Sequence, residues 1–339
     1  MTILVTGGLG YIGSHTVVEL LNNNFEVVII DDLSNTEKFI LKNIEEITGK
    51  KPIFYPFDLK RKELLKQVFD AHKIEGCIHF AAYKAVGESQ VKPIDYYENN
   101  LFSLLNLLQE MKERNISNFI FSSSCTVYGQ ADKMPIDEET PLKLPESSYG
   151  KTKQMGEEIL KDFATAHHKR VTLLRYFNPI GAHPSAKLGE LPIGIPNNLV
   201  PYVMQTAAGV REKLSVWGND YPTEDGTAIR DYIYVVDLAK AHVKALQKLL
   251  NVSSYTLVDI YNLGTGKGSS VLEVVHAFEK ANDVAVPYQI CERRAGDITI
   301  AYANADKAEK ELGWKSETSL EEALRTVWQW QKYLETREK

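Results

Sequence analysis

Short apolar runs alternate with longer amphipathic segments through the first half of the chain. ILVT (3 to 6), EVVII (26 to 30), PIFYPFD (52 to 58), GCIHFAA (76 to 82), NFIFSSS (118 to 124) and RVTLLRYF (170 to 177) read as strands. Their nearly continuous hydrophobicity marks strands covered on both faces, as in a parallel sheet. Between them SHTVVELLNN, KRKELLKQVFDAH and NLFSLLNLLQEMKER repeat apolar residues at three- and four-residue spacing, the period of a helix lying on a sheet. Strand and helix in alternation predict βαβ units and a doubly wound α/β fold.

From Asn178 the pattern changes. GAHPSAKLGELPIGIPNNLVPY is rich in Gly, Pro and Asn and reads as loops around a short helix. DLAKAHVKALQKLL and DIYNLGTG then read as one more helix and one more strand-to-glycine turn, suited to completing the first sheet. The expected organisation is a Rossmann-type nucleotide domain over 1 to 177, completed by about 234 to 265. A smaller mixed α/β domain over 178 to 233 and 266 to 339 would carry the substrate. The last helix, SLEEALRTVWQWQKYLE, opens on Ser319 with Glu322 three residues on, a capping box.

Composition narrows the function. With 339 residues, 44% apolar and 25% charged, the chain is of ordinary globular type. A net charge of −6 without a basic block argues against a nucleic-acid partner. No apolar stretch approaches the roughly 20 residues of a membrane helix, and the first residues leave no room for a signal peptide, so a cytoplasmic protein is expected. Three scattered cysteines, Cys77, Cys125 and Cys291, suit neither a disulfide framework nor a zinc site.

TGGLGYIG follows the first strand and opens the first helix, and superimposes two glycine patterns. Gly7, Gly10 and Gly13 are spaced three apart; Gly8, Gly10 and Gly13 read GxGxxG. Either pattern at this place suits a dinucleotide, whose pyrophosphate meets backbone N–H groups at a helix N-terminus. The second strand ends in Asp31 and Asp32, where a carboxylate meets the adenosine ribose; Asp31 would accept its hydroxyls and repel a 2′-phosphate, favouring NAD over NADP. Asp58, Leu59, Phe80, Ala81 and Ala82 stand at further strand ends facing the same crevice. The bland alternatives are a tight turn without ligand, a solvated aspartate and ordinary helix–sheet packing.

SSSCTVYG and SSYGKTK carry the strongest catalytic signal. Ser124 stands at a strand end, and Tyr149 precedes Lys153 by four residues, on one helix face. A phenol titrates near 10, so a phenolate at pH 7 needs about 4 kcal/mol of favourable electrostatics. Lys153 and an oxidised nicotinamide are the expected sources. Tyr149 would then take a proton from a sugar hydroxyl as hydride leaves its carbon, with Ser124 holding the oxygen. Alone, Y-x-x-x-K is common on exposed helices; the glycine loop, Asp31 and Ser124 shift the reading toward catalysis.

In chain order TGGLGYIGSH, DDLSN, HFAAYKAVGESQ, SSSCTVYG, SYGKTK, RYFNPIGAHPS, GIPNNLVPY, WGNDYPTEDGTAIRDYIYVVDLA and RRAGD resemble the UDP-hexose 4-epimerase branch of the extended short-chain dehydrogenase/reductase family. The resemblance runs from about residue 1 to 335. It implies that the cofactor loop uses Gly7, Gly10 and Gly13, leaving Gly8 a bystander. It further implies tightly bound NAD at Tyr11, Ile12, Asp31, Asp32, Asn35, Asp58, Leu59, Phe80, Ala81, Lys84, Asn99, Ser124, Tyr149, Lys153 and Phe177. The UDP-sugar would meet Lys84, Ser124, Tyr149, Asn178, Asn198, Leu199, Arg230, Tyr232, Arg294, Asp297 and Ala301.

The implied reaction interconverts UDP-galactose and UDP-glucose through transient oxidation at C4. In relatives a bulky residue at the place of Ala301 closes the sugar pocket, so this small one implies acceptance of N-acetylated sugars. Helices near 93 to 115 and 147 to 166 build a homodimer's four-helix bundle in relatives. Two rivals stand beside this reading. A nucleotide-sugar 4,6-dehydratase or decarboxylase shares the hydride step, but Cys125 and Thr126 occupy the place of a dehydratase's acid/base pair. A non-catalytic NAD-binding regulator would have no use for Ser124, Tyr149 and Lys153 together.

Overall fold

The computed structural model describes residues 1–294 and 297–337. Seven parallel strands form its main sheet: β1 Thr2–Thr6, β2 Glu26–Ile30, β3 Ile53–Tyr55, β4 Ile74–His79, β5 Asn118–Ser124, β6 Arg170–Tyr176 and β7 Leu257–Leu263. Their spatial order is β7-β6-β5-β4-β1-β2-β3. The chain therefore winds outward in both directions from β1, which is the expected doubly wound sheet.

Alternate side chains of each strand feed two separate cores. Ile3, Val5, Val27, Ile29 and Ile78 pack with the helices Tyr11–Asn22 and Val235–Asn251 on one face. Leu4, Val28, Ile30, Cys77 and Phe119 pack with Pro93–Glu113 and Ser148–His167 on the other. Burial on both faces is why these strands read as continuous apolar runs rather than as an alternating pattern.

Several boundaries shift from the sequence reading. β3 stops at Tyr55, before Pro56, which has no N–H to continue the ladder. β4 ends at His79, so Phe80, Ala81 and Ala82 leave the sheet as a loop. The amphipathic pattern at NLFSLLNLLQEMKER covers only the later part of its helix, which runs Pro93–Glu113 as the resemblance implied and starts on a residue preorganised for a first helical position. β7 pairs with β6 along its whole length, Leu257 to Leu263 against Arg170 to Tyr176, and closes that edge of the sheet.

The remaining segments form three small sheets: Asn178–Ile180 with Tyr232–Tyr234, Ser269–Ser270 and Ile300–Ala301 on either side of Ile229–Arg230, and Leu214–Trp217 with Tyr288–Cys291. The final helix, Leu320–Arg337, begins with the expected cap: Glu322 N donates to Ser319 Oγ at 3.3 Å, and Ser319 N donates to Glu322 Oε2 at 3.1 Å.

Candidate active site

The sheet reverses its strand order between β1 and β4, and a groove opens at their carboxyl ends, where doubly wound sheets bind ligands. Its walls include Gly7, Gly10, Tyr11, Ile12, Gly13, Asp31, Asp32, Asn35, Asp58, Leu59, Phe80, Ala81, Lys84, Asn99, Tyr149, Lys153 and Asn198. The topology thus gathers residues from the ends of four strands, β1 to β4, and from the helices Tyr11–Asn22, Pro93–Glu113 and Ser148–His167; Ser124, at the end of β5, is not on the wall.

The loop after β1 is shaped by what a side chain would strike. A Cβ on Gly13 would lie 2.1 Å from Gly7 O, and one on Gly7 would lie 2.8 Å from Ala81 N, with Gly7 also at φ +68°. Backbone cannot yield there as a flexible side chain does. Gly10 caps the helix Tyr11–Asn22 without any side-chain cap hydrogen bond, and the first turn holds no acidic residue. The first N–H groups of that helix are therefore available to an anion. Gly8 does not line the groove, yet it is no idle position: its Cβ would press Ile29 Cγ2 at 2.8 Å, so it packs the loop onto β2.

Asp31 is buried, with Leu9 N donating to one carboxylate oxygen and Leu33 N to the other, both at 3.0 Å. Burial raises its pKa, and these backbone donors work in the opposite direction. A held carboxylate facing the groove excludes the reading of a solvated loop charge. Asp32 is exposed and accepts from Ser34 N at 2.9 Å. Asp58 accepts from Lys60 N at 2.8 Å.

Glycine cradle, capless helix start and buried Asp31 fit a dinucleotide with two free ribose hydroxyls. Among the described residues no three His, Cys, Asp or Glu side chains converge as metal ligands.

Tyr149 and Lys153 lie on one face of the helix Ser148–His167, whose N-cap Ser147 accepts from Gly150 N at 3.1 Å. Lys153 Nζ lies 5.8 Å from the Tyr149 ring centroid and 4.8 Å from that of Phe121, and donates to Ser122 O at 2.6 Å. Burial pushes the Tyr149 phenol up to about 12, only partly offset by the Ser124 hydroxyl. The same burial pulls the Lys153 ammonium down to about 7, with buried Glu157 acting against it.

Burial is the leading cause at both groups, so the spacing of the pair by itself does not set their protonation.

Ser124, at the end of β5, accepts from Thr126 N at 3.2 Å, and Cys125 and Thr126 follow it in a short 3₁₀ turn. Burial lifts the Cys125 thiol to about 11, so it is a poor proton carrier at neutral pH.

The expected substrate residues gather beside the groove, mostly off its wall. Asn178 pairs in register with Tyr232, and Arg230 with Ala301. Asp231 is fully buried and accepts from Thr265 N at 2.8 Å, Gly266 N at 3.2 Å and Ala303 N at 3.1 Å, drawing three segments together. Arg294 is exposed and pairs with Asp297 at 3.0 Å; Ala295 and Gly296 of the RRAGD stretch lie outside the described residues. Leu199 packs against the core at a helix start. Phe177 is not on the groove wall: it is buried with Val127, Tyr128 and Ala301.

Sequence reading missed Glu190, Leu191, Pro192, Ile193 and Ile195, which wall the groove from the Gly- and Pro-rich segment. It also missed Trp217, half-exposed with the Arg294 guanidinium 5.8 Å from its ring centroid. An aromatic residue ahead of GNDYP was the available signal for the second; the first had none.

A switch-point groove that ends against a tyrosine and a lysine one helical turn apart is the arrangement of the short-chain dehydrogenases/reductases. A family model described as GDP-mannose 4,6 dehydratase matches residues 4–327. The UDP-glucose 4-epimerase of Bacillus subtilis is 54% identical over 332 residues, covering 98% of this chain and 97% of that protein. The solved structure of UDP-glucose 4-epimerase from Bifidobacterium longum, in complex with NAD+ and UDP, is similar at a TM-score of 0.95 and 48% identity, over 98% of both chains. The UDP-Glc/GlcNAc 4-epimerase of Campylobacter jejuni is similar at a TM-score of 0.84 and 34% identity, over 98% of this chain and 99% of that one. The chain belongs to the UDP-glucose 4-epimerase family.

Proposed function

We propose that the protein is a UDP-glucose 4-epimerase, an isomerase that interconverts UDP-galactose and UDP-glucose with tightly bound NAD. The observation that carries this reading is Tyr149 and Lys153 on the wall of the same groove as the glycine cradle and Asp31. Residues 1–177 with 234–265 hold the cofactor; 178–233 and 266–339 hold the UDP-sugar. We place its action in the cytoplasm.

NAD, when bound, supplies a hydride acceptor that takes the C4 hydrogen and returns it to the opposite face of the sugar. The chain's residues do the rest. The backbone at Gly7, Gly10 and Gly13 receives the pyrophosphate, and Asp31 receives the ribose hydroxyls. Arg230 and Arg294 grip the substrate diphosphate through guanidinium hydrogen bonds. Ser124 orients the O4 oxygen.

Tyr149, as phenolate, removes the O4 proton when the C4 hydride departs, and gives it back when hydride returns, so protons and electrons balance over one cycle. The phenol's raised pKa in this structure makes the electrostatic demand explicit: the oxidised cofactor's positive charge, together with Lys153, must lower it.

Incubation with UDP-galactose should yield UDP-glucose. Tyr149→Phe should slow this by about 10³-fold while acid-extractable nicotinamide stays bound. No interconversion by wild-type protein that contains NAD would sink the reading.

The small side chain at Ala301 supports acceptance of N-acetylated UDP-sugars. A homodimer is supported by an apolar hollow between the helices Pro93–Glu113 and Ser148–His167, with Leu105, Leu108, Ile159 and Phe163 among its lining, and by Phe102 and Met155, half-exposed on the same two helices. Phe102→Glu should halve the mass measured by light scattering; a monomeric wild type rules the dimer out.

A further inference from the structure

On the proposed reading the groove accepts the diphosphate of NAD, with that of the UDP-sugar beside it, yet its wall carries a further carboxylate besides those at the ends of β2 and β3. Glu190 sits there with its side chain only 14% exposed. It is not unpartnered. Lys84 Nζ, from the loop after β4, donates to Glu190 Oε1 at 2.9 Å, and Asn198 Nδ2, at the start of the helix Leu199–Ala207, donates to the same oxygen at 2.7 Å.

The backbone around Glu190 is fixed from behind. Trp330 Nε1, in the final helix, donates to Glu190 O at 3.0 Å, and a Cβ on Gly189 would lie 2.5 Å from the Trp330 ring. Trp330 is itself stacked against Phe39 and Tyr333, at centroid distances of 6.5 and 5.7 Å. The segment that follows, with Leu191, Pro192, Ile193 and Ile195, forms part of the groove wall. Glu190 is thus anchored on one side to the final helix and reaches across on the other to a lysine that belongs to the nucleotide half.

We propose that Glu190 is a positioning residue: its carboxylate ties Lys84 to Asn198 across the mouth of the groove, holding the 189–198 segment over the bound dinucleotide and slowing its escape. The inference rests on the function proposed above. Lys84 is not a free cation waiting for phosphate; Glu190 neutralises and aims it. Asn198, expected to meet the substrate, is held by the same oxygen, so cofactor retention and the substrate side share one bridge.

If Glu190 were instead an ill-placed negative charge beside two polyanions, removing it would tighten their binding. The two accounts predict opposite signs.

The test measures how fast holoprotein loses nicotinamide when a glycohydrolase destroys whatever is released, with bound cofactor quantified by acid extraction. Glu190→Gln keeps the size and removes the charge; Glu190→Asp keeps the charge and shortens the reach. Both should lose NAD roughly five-fold faster than wild type at low salt, the scale of a partly exposed ion pair. The gap between wild type and Glu190→Gln should narrow as salt rises from roughly 50 to 500 mM, because the pair is screened. Lys84→Met and Lys84→Met/Glu190→Gln should lose it at equal rates, since either change already breaks the bridge.

Loss at the wild-type rate in either Glu190 variant, or slower loss, overturns the proposal. A wild-type protein that carries no nicotinamide at all overturns the function on which it rests.

Discussion

The proposed nucleotide side and the proposed substrate side of this molecule are built in different ways. The first is assembled from the ends of neighbouring strands in one continuous sheet, each contributing a residue or two close in sequence to the strand that positions it. The second is assembled from small sheets of two or three short strands, whose members lie tens of residues apart and are joined by pairings such as Arg230 with Ala301 and Asn178 with Tyr232. Its unity depends on Asp231, one carboxylate that collects backbone donors at residues 265, 266 and 303. A strand-end site inherits the rigidity of the sheet; a site of short pairings needs such a clamp, and can vary at one position without disturbing the other half.

The sharpest way to break the nucleotide side is Gly13→Ala, because the added methyl meets backbone oxygen. Loss of bound nicotinamide and a destabilisation of about 3 kcal/mol are expected, read by acid extraction and urea unfolding. Gly8→Ala meets apolar side chains, Ile29 at 2.8 Å and Val5 at 3.3 Å, rather than backbone, and should cost less, about 1 kcal/mol, with cofactor retained. Equal effects at the two positions would erase the distinction between them.

Lys153 offers a pH-dependent test. Its folded pKa lies below that of the unfolded chain, so between about 7 and 10.5 the unfolded state binds the extra proton and stability rises with pH. Below that window both states are protonated and the full burial cost remains. Cofactor-free wild type compared with Lys153→Met in urea should therefore gain about 1 kcal/mol per pH unit from 7 to 9.5. A difference flat with pH would mean that the buried amine is solvated in solution.

The most local effect lies on the proposed substrate side. Ala301→Tyr should lower turnover of UDP-N-acetylgalactosamine relative to UDP-galactose by about tenfold, with cofactor content unchanged. An unchanged ratio would show that position 301 does not set the size of the sugar pocket.

How much of the site is legible in the sequence follows the same division. Gly10, Gly13, Asp31, Tyr149 and Lys153 could be read directly, because each sits at a fixed offset from a strand or within one helical turn, whereas Gly7 was preferred to Gly8 only through the resemblance. Arg230, Tyr232, Arg294 and Ala301 were reachable only through resemblance, since no local period ties them to one another. Glu190 was invisible: it lies in a stretch whose Gly and Pro content announces a loop and nothing else, and its partners are distant in the chain.

The sequence by itself determined the doubly wound sheet, the glycine turn and the helix face shared by Tyr149 and Lys153, because these depend on periodicity and short-range sterics. Tertiary structure alone decided the electrostatics. Burial drives the phenol up and the amine down, opposite to what the bare pair suggests, because desolvation depends on everything packed around a group and not on its neighbours in the chain. It likewise decided that Glu190 stands in the groove with Lys84 and Asn198, because only folding brings residues 84, 190 and 198 to one place.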